Sequence, residues 1–301
     1  MRHFLTLLDV SAEEARHILK RATKIKRRLK EGKPHRPLEG KTLGMIFDKS
    51  STRTRVSFEV GMYQLGGHAL FLHSDATQLG RGETIADSAR VLSSMVDGIT
   101  IRTFGHDKLQ QFAEHSKVPV INALTDLTHP CQILADVLTY EEHRGPIEDK
   151  TVAWIGDGNN MAHSWINGAV TFGYKLKLAC PNGYRPDAKM MDAARVLGGD
   201  VSLTDDPLIA AYKADLVTTD VWASMGQEAE QAEREQAFDG FCVTDRVMAH
   251  AHGDALFMHC LPAHRGEEVA ANVIDGPQSV VWSEAENRLH AQKALLEFLL
   301  K

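Results

Sequence analysis

Short apolar runs of strand length alternate along this chain with stretches in which apolar residues recur at helical spacing. In the first half, strands are predicted at residues 43–48, 69–73, 98–104 and 118–124. In the second half, they are predicted at residues 151–156, 175–180, 200–203, 215–219, 255–259 and 280–282. Ser-x-x-Glu capping boxes beginning at Ser11 and Ser283 predict the starts of the first and last helices. This alternation predicts an α/β protein with mostly parallel sheets.

The two series of strands are separated near residue 145 by a Gly-Pro pair, which predicts two domains. We assign residues 1–145 to the first domain and residues 146–283 to the second, each a doubly wound parallel sheet. The last helix, 284–301, is expected to pack back onto the first domain. A helix that starts after Pro130 is predicted to join the two domains. Ligands of such folds bind beyond the carboxyl ends of the strands, so we expect the active site in the crevice between the domains.

The composition is that of an ordinary enzyme-sized protein of 301 residues, with 43% hydrophobic and 25% charged residues. A formal net charge of -6 argues against a general nucleic-acid-binding protein, whose affinity depends on a basic surface. We find no signal peptide and no apolar run long enough to cross a membrane. The four cysteines are widely spaced and form no C-x-x-C pair, so we expect a reduced, cytoplasmic protein.

Metal and cofactor motifs are lacking in the sequence. The 15 histidines form no H-E-x-x-H pattern and no paired Cys/His spacing, so no metal site is predicted. The turn beginning at Gly156 follows a strand and is partly like a dinucleotide fingerprint, but Met161 stands where its third glycine belongs. No P-loop pattern occurs either. We therefore predict that the protein uses no cofactor.

The pentapeptide Ser51-Thr52-Arg53-Thr54-Arg55 lies where a predicted strand ends and a helix begins. A helix N-terminus favours an anion, and two guanidinium groups and three hydroxyls add donors that match phosphate oxygens. This arrangement favours a phosphate site. The alternative is that the hydroxyl side chains cap the helix while the arginines are solvated surface charges. The pentapeptide by itself leaves both interpretations open.

Four further polar residues, Arg102, His129, Asp220 and Cys260, stand at or just beyond the ends of predicted strands. Each has a structural alternative. Arg102 could form a surface ion pair, and His129 could cap the helix that follows it. Asp220 could form a turn, and Cys260 could be a small buried hydrophobic residue. Their recurrence at successive strand ends favours a shared ligand site.

Seven segments resemble the motifs of the aspartate/ornithine carbamoyltransferase family, in the expected order and over essentially the whole chain. They are FDKSSTRTRVSFE, RTFGH, HPCQILAD, GDGNNMAHS, DVWASMGQE, HCLPAHRGEE and AENRLHAQKALL. The DxxxSMG and HCLP segments resemble the ornithine branch. The aspartate branch has a different specificity loop, and a Pro-Leu-Pro-Arg segment where this chain has Cys-Leu-Pro-Ala.

The resemblance implies an enzyme that transfers the carbamoyl group of carbamoyl phosphate to the side-chain amine of L-ornithine, giving L-citrulline and phosphate. It implies that Arg102 and His129 reach the carbonyl oxygen and that Gln132 reaches the carbamoyl nitrogen. The other residues that it implies for carbamoyl phosphate are Ser51, Thr52, Arg53, Thr54, Gln78, Cys260, Leu261 and Arg288.

The ornithine amine must lose a proton before it can attack, since a protonated alkylamine is not nucleophilic. By resemblance, Cys260 accepts this proton, and Asp220 orients Cys260 and holds the α-amino group. Asn160, Ser224 and the backbone of Met225 are the further residues that the resemblance implies for ornithine. A pKa low enough for a thiolate requires cationic neighbours.

The resemblance also implies a homotrimer in which the Gly-rich loop around Gln78 completes a neighbour's phosphate site. A plain surface turn is the alternative for this loop. Arginine biosynthesis is expected in preference to catabolism. Two alternative functions remain: a carbamoyltransferase for putrescine or an acylated ornithine, and a non-catalytic sensor of phosphate ligands. Asp220 favours free ornithine, because its carboxylate would lack a partner without an α-ammonium group.

Overall fold

The computed structural model of the chain describes residues 2–73, 82–223 and 230–301. The chain divides into two compact units. Unit 1 comprises Met1–Leu138 and Glu286–Lys301, and unit 2 comprises Thr139–Ala285. Three residues with expected ligand roles, Gln78, Ser224 and Met225, lie outside the described residues.

Unit 1 is built on a four-stranded parallel sheet with the strand order β2-β1-β3-β4. The strands are β1 (Thr42–Phe47), β2 (His68–His73), β3 (Gly98–Arg102) and β4 (Val120–Leu124). The helices are α1 (Ala12–Lys30), α2 (Thr52–Gln64), α3 (Ile85–Leu92), α4 (His106–His115) and α5 (Pro130–Arg144), whose last residues belong to unit 2. Phe47 is in register with both His73 and Arg102, so the carboxyl ends of these strands lie at one edge of the sheet.

Unit 2 contains a five-stranded parallel sheet with the strand order β7-β6-β5-β8-β9. The strands are β5 (Thr151–Ile155), β6 (Lys175–Ala179), β7 (Val201–Thr204), β8 (Leu216–Thr219) and β9 (Leu256–His259). The helices are α6 (Asn160–Phe172), α7 (Ala188–Val196), α8 (Pro207–Ala211), α9 (Gln231–Ala237), α10 (Asp245–Met248), α11 (Ala271–Ile274) and the start of α12 (Val281–Leu300). The aromatic residues Trp154, Phe238 and Phe257 are fully buried in this unit.

The predicted fold class, two α/β units with parallel sheets, is confirmed. The predicted strand at residues 280–282 is wrong, because Val281 is the first residue of α12. Extended chain is found just before this helix, where Ser279 forms an isolated bridge with Phe257. The capping box predicted at Ser283 is also wrong, since Ser283 lies inside the helix. Glu284 instead accepts the His259 N–H, at 2.9 Å.

Helix α1 begins as its sequence predicts. Ser11 Oγ accepts the Glu14 N–H at 3.2 Å, and Glu14 Oε2 accepts the Ser11 N–H at 2.9 Å, which completes the capping box. Ile18 and Ile25 are buried on one face of the helix. In the described part of the chain, neither α1 nor any other helix combines the length and apolar character needed to cross a membrane.

Within unit 1, α12 packs against α1 and α2 through polar as well as apolar contacts. Lys26 Nζ donates to Asn287 Oδ1 at 2.7 Å, and Lys293 Nζ donates to Gln64 Oε1 at 2.6 Å. Lys293 lines a cavity of about 130 Å³. A Cβ atom at Gly61 of α2 would lie 3.3 Å from Lys293 Cγ, so glycine permits this close approach. Burial lowers the pKa of Lys293 from 10.5 to about 8.

The buried amine of Lys293 predicts a pH-dependent stability. Its charge costs free energy of folding below pH 8, and this cost is relieved as the pH rises toward 10.5, because the folded chain releases the proton first. Relative to a Lys293→Met variant, we expect the free energy of unfolding of the wild type to rise by about 2–3 kcal/mol between about pH 7 and 10. Urea unfolding across this pH range measures the difference.

The control is Lys33→Met, which removes an exposed lysine that is paired with Glu31 at 2.8 Å. Its stability difference from the wild type should stay constant over the same range, because the side chain of Lys33 is 63% exposed and folding does not remove its charge from water. Parallel stability curves for the wild type and Lys293→Met would show that the charge of Lys293 is not penalised by burial.

Candidate active site

The pentapeptide at the end of β1 caps and opens helix α2. Ser51 is the N-cap residue, and its Oγ accepts the Thr54 N–H at 3.3 Å. The side chains of Thr52 and Arg53 are exposed in the first turn, whereas Thr54 is buried. The helix cap is therefore present, and Thr52 and Arg53 stand at the positive end of the helix dipole, where an anion is favoured. The capping and phosphate-binding interpretations are compatible.

Arg288, on α12, joins two other predicted residues within unit 1. Its Nη2 atom donates to Thr54 Oγ1 at 2.9 Å, and its Nη1 atom donates to Gln132 Oε1 at 2.6 Å. Gln132 Nε2 donates in turn to Asp136 Oδ1 at 2.8 Å, which fixes the orientation of its amide. Arg288 is only 3% exposed. A buried guanidinium group thus lies beside the start of α2 and the first turn of α5.

Arg102 and His129 complete this polar cluster at the carboxyl ends of β3 and β4. Both are buried. The pKa of His129 lies well below its usual value, first because of burial and then because of the positive charges of Arg288 and Arg102. The imidazole is therefore neutral near pH 7.

Sequence reasoning missed Asp48, which accepts a hydrogen bond from Thr103 Oγ1 at 2.5 Å and links the ends of β1 and β3.

In unit 2, Asp220 and Cys260 are brought together at the ends of β8 and β9. Cys260 Sγ lies 3.2 Å from Asp220 Oδ1, which also accepts the Val221 N–H at 2.9 Å. Asp220 Oδ2 accepts a hydrogen bond from Asn159 Nδ2 at 3.0 Å. Asp220 is 8% exposed. The carboxylate is thus fixed in orientation by three donors.

Asn159 is a contact of Asp220 that sequence reasoning did not identify. It is the N-cap of α6, and its Oδ1 accepts the N–H groups of Met161 and Ala162 at 2.9 and 3.2 Å. Asn160, which the resemblance implies for ornithine, is the first helical residue and is half-buried. An asparagine between a strand end and a helix is a typical N-cap residue. This position in the sequence was the signal that could have identified Asn159.

A buried ion pair lies beside this site. Arg234 Nη1 donates to Asp157 Oδ2 at 2.9 Å and to the Trp222 carbonyl oxygen at 2.7 Å. Its Nε atom donates to Glu230 Oε2 at 2.9 Å. Burial raises the pKa of Asp157 to about 6, although the charge of Arg234 opposes this shift. Arg234 thereby ties α9 to the chain that follows β5 and to the chain that follows β8.

Removal of Arg234 is predicted to destabilise unit 2. In an Arg234→Met variant, Asp157 keeps its buried position and loses its cationic partner. We expect the free energy of unfolding in urea to fall by about 2–4 kcal/mol. The matched control is Arg195→Met, which breaks an exposed pair with Asp192 and should change stability by less than about 0.5 kcal/mol. Equal effects of the two variants would contradict the account of the buried pair.

Two groups of side chains in the described part of the chain have atoms close enough to hold a metal ion: Asp220 with His259 and Cys260, and His264 with Glu267 and Glu268. In the first group, His259 Nδ1 accepts the Leu261 N–H at 2.9 Å, and Nε2 lies 3.0 Å from Glu268 Oε1. Both ring nitrogens of His259 are thus engaged in hydrogen bonds. The donor set of the first group therefore fits a hydrogen-bond network better than a metal site.

Comparison with protein families gives two matches that together span nearly all of the chain. Residues 2–142 match the aspartate/ornithine carbamoyltransferase carbamoyl-P binding domain. Residues 148–299 match the Asp/Orn binding domain of the same family.

Individual proteins and solved structures agree with this assignment. The ornithine carbamoyltransferase of Halorhodospira halophila is 65% identical over 301 residues, which cover 100% of this chain and 99% of that protein. The crystal structure of ornithine carbamoyltransferase from Burkholderia thailandensis is 57% identical, with a TM-score of 0.92 over 100% of this chain and 99% of that one. The enzyme from Pyrococcus furiosus is 53% identical, with a TM-score of 0.95 over 99% of this chain and 97% of that one.

These matches confirm the resemblance inferred from the seven sequence motifs, including its ornithine branch. Family models cover both halves of the chain, and the similar proteins are matched along nearly their full length. The chain belongs to the aspartate/ornithine carbamoyltransferase family.

Proposed function

We propose that this family member transfers the carbamoyl group of carbamoyl phosphate to the side-chain amine of L-ornithine, giving L-citrulline and phosphate. The observation that carries the proposal is the contact between Asp220 and Cys260, at 3.2 Å. The Asp220 carboxylate can pair with the α-ammonium group of an amino acid, and the Cys260 side chain beside it can take a proton from an amine when it is present as the thiolate. Unit 1 supplies a separate set of cationic and neutral donors suited to carbamoyl phosphate.

In unit 1, the phosphate group binds at the start of α2, with Ser51, Thr52, Arg53 and Thr54 as its ligands. The buried charge of Arg288 is fixed by Thr54 and Gln132 and contributes to the same anion site. Preorganised donors of this kind stabilise the charge that develops on the leaving group. A Lys residue in place of either arginine would lack the forked geometry that matches phosphate oxygens.

Arg102 and His129 contact the carbonyl oxygen, which becomes negatively charged in the tetrahedral intermediate. Arg102 brings a full charge, and His129 brings a neutral imidazole that can donate one hydrogen bond. Gln132 contacts the carbamoyl nitrogen. Its amide is already oriented by hydrogen bonds to Asp136 and Arg288. Donors held in place before the reaction need no reorganisation as charge moves onto the oxygen.

In unit 2, Asp220 holds the α-ammonium group of ornithine, and Asn160, Ser224 and Met225 complete the ornithine contacts. An alkylammonium group has a pKa of about 10.4, so the side-chain amine must lose a proton before it attacks. Cys260, present as the thiolate, is the acceptor of this proton and becomes the thiol. The amine nitrogen then forms a bond to the carbonyl carbon and gives its second proton to the leaving phosphate. The bond from that carbon to the phosphate oxygen breaks, and phosphate leaves with the bonding electrons.

The assembly and physiological setting belong to the same proposal. The protein is a homotrimer, in which the loop containing Gln78 completes the phosphate site of a neighbouring subunit. It acts in the cytoplasm, in arginine biosynthesis. The four cysteines are free thiols, as is typical of a reducing compartment.

Product formation from carbamoyl phosphate with a panel of acceptors tests the function. Ornithine, N-acetylornithine, putrescine and aspartate are compared at equal concentration, and both the carbamoylated product and phosphate are measured. We expect ornithine to exceed each of the others by at least about 100-fold in kcat/KM, because only ornithine satisfies Asp220 and also offers the attacking amine. A preference for putrescine or N-acetylornithine would replace the proposed acceptor. Binding of carbamoyl phosphate without transfer to any acceptor would indicate a sensor.

A further inference from the structure

His259 is a fully buried residue at the end of β9, immediately before Cys260. Its Nδ1 atom accepts the Leu261 N–H at 2.9 Å. A backbone amide can only donate, so Nδ1 carries no proton. The Nε2 atom, 3.0 Å from Glu268 Oε1, must then carry the proton and donate it. The hydrogen bonds thus select one of the two neutral tautomers of His259.

Glu268 is the acceptor that makes this tautomer favourable. It is completely buried, and its Oε1 atom also accepts the His264 N–H, at 2.7 Å. The backbone of His259 is fixed as well, because its N–H donates to Glu284 Oε2 at 2.9 Å. The ring of His259 is therefore held by the carboxylate of Glu268, and its main chain by the carboxylate of Glu284.

The turn that His259 supports has an uncommon backbone conformation. Leu261 has a φ angle of +58°, in the left-handed region that branched side chains rarely adopt. Such a conformation persists only when the surrounding structure holds it, and the hydrogen bond from the Leu261 N–H to His259 Nδ1 does so. The same turn places Cys260 Sγ beside Asp220. The position of the thiol thus depends on an imidazole acceptor one residue earlier in the chain.

We propose that His259 and Glu268 are positioning residues for the reaction. Glu268 selects the His259 tautomer with the proton on Nε2, and this tautomer holds the Cys260–Leu261 turn so that the thiol faces Asp220. The consequence for catalysis rests on the proposed role of Cys260 as proton acceptor. The tautomer itself follows from the hydrogen bonds alone.

Two substitutions of Glu268 separate this role from packing. In Glu268→Gln, the amide oxygen can still accept from His259 Nε2 and from the His264 N–H. In Glu268→Met, the volume is similar and the acceptor is lost, so His259 can move its proton to Nδ1 and lose its bond to Leu261. We expect kcat of Glu268→Met to fall by about 10–100-fold with the KM for ornithine little changed, and Glu268→Gln to stay within about 3-fold of the wild type.

Nitrogen NMR of the protein labelled at histidine provides a readout that packing does not change. Wild type and Glu268→Gln should show a non-protonated Nδ1 and a protonated Nε2 at His259, with the signal assigned by its loss in His259→Asn. A protonated Nδ1 in the wild type, or equal kcat in Glu268→Met and Glu268→Gln, would overturn the proposal. If Glu268→Met does not fold, the His259 tautomer measured in the wild type and in Glu268→Gln decides whether the proposal holds. Failure of the wild type to form citrulline would refute the proposed function and leave the tautomer to be judged by NMR.

Discussion

An Arg102→Met variant is expected to lose about 10²–10³-fold in kcat while remaining folded. Arg102 is buried at the carboxyl end of β3 and lowers the pKa of His129 by its charge. In the proposed reaction, it stabilises the negative charge that forms on the carbonyl oxygen, and methionine fills a similar volume without a donor. Steady-state rates of citrulline formation at saturating substrates measure the loss.

Two controls accompany this variant. Arg102→Lys keeps the charge and loses the planar fork, so its activity should lie between those of the wild type and Arg102→Met. Arg90→Met removes an exposed arginine of α3 that pairs with Asp87, and its activity should equal that of the wild type. In Arg102→Met, the pKa of His129 should also rise, because one of the two charges that lower it is gone. Unchanged kcat in Arg102→Met would remove this residue from the mechanism.

An Asp220→Asn variant is expected to lose about 10²–10³-fold in kcat/KM for ornithine. The carboxylate accepts hydrogen bonds from Cys260, Val221 and Asn159, and these fix its direction. Its amide replacement carries no charge for the α-ammonium group, and its NH₂ group competes with the donors that now surround it. Initial rates over a range of ornithine concentrations measure the change.

The substrate dependence of the Asp220→Asn variant provides an internal control. The KM for carbamoyl phosphate should change little, because the proposed ligands of its phosphate group and carbonyl oxygen that the structure describes lie in unit 1, and only Cys260 and Leu261 of the expected ligands belong to unit 2. The external control is Asp254→Asn, whose side chain is 80% exposed in the same unit and which should behave as the wild type. If Asp220→Asn changed only the KM for carbamoyl phosphate and left kcat/KM for ornithine unchanged, Asp220 would not be a ligand of ornithine.

The sheets of both units could be predicted because each strand forms a short apolar run between polar turns. Helix α1 could be predicted because Ser11 and Glu14 form a local capping box, which depends on neighbouring residues only. The segment Val280–Val281–Trp282 was misassigned because a short apolar run has no period that distinguishes a strand from the first turn of a helix. Contacts with distant parts of the chain decide between the two.

The candidate site was predictable to the extent that it depends on strand ends. Parallel strands bring their carboxyl ends to one edge of a sheet, so polar residues at those ends could be expected to meet. Asp220 and Cys260 do so, 40 positions apart in sequence. Arg288 reaches Gln132 across 156 positions, and no local pattern encodes that contact. The contacts of Asn159 with Asp220 and of Glu268 with His259 were missed for the same reason.

Binding of a stable analogue of carbamoyl phosphate tests most directly whether the two substrates have separate ligands. The analogue is the phosphonate in which a methylene group replaces the bridging oxygen, and calorimetry measures its Kd for the wild type, Arg102→Met and Asp220→Asn. The account predicts that Asp220→Asn binds the analogue as the wild type does, and that Arg102→Met binds it at least about 10-fold more weakly. Equal affinity in the wild type and Arg102→Met, or an equal loss in both variants, would contradict it.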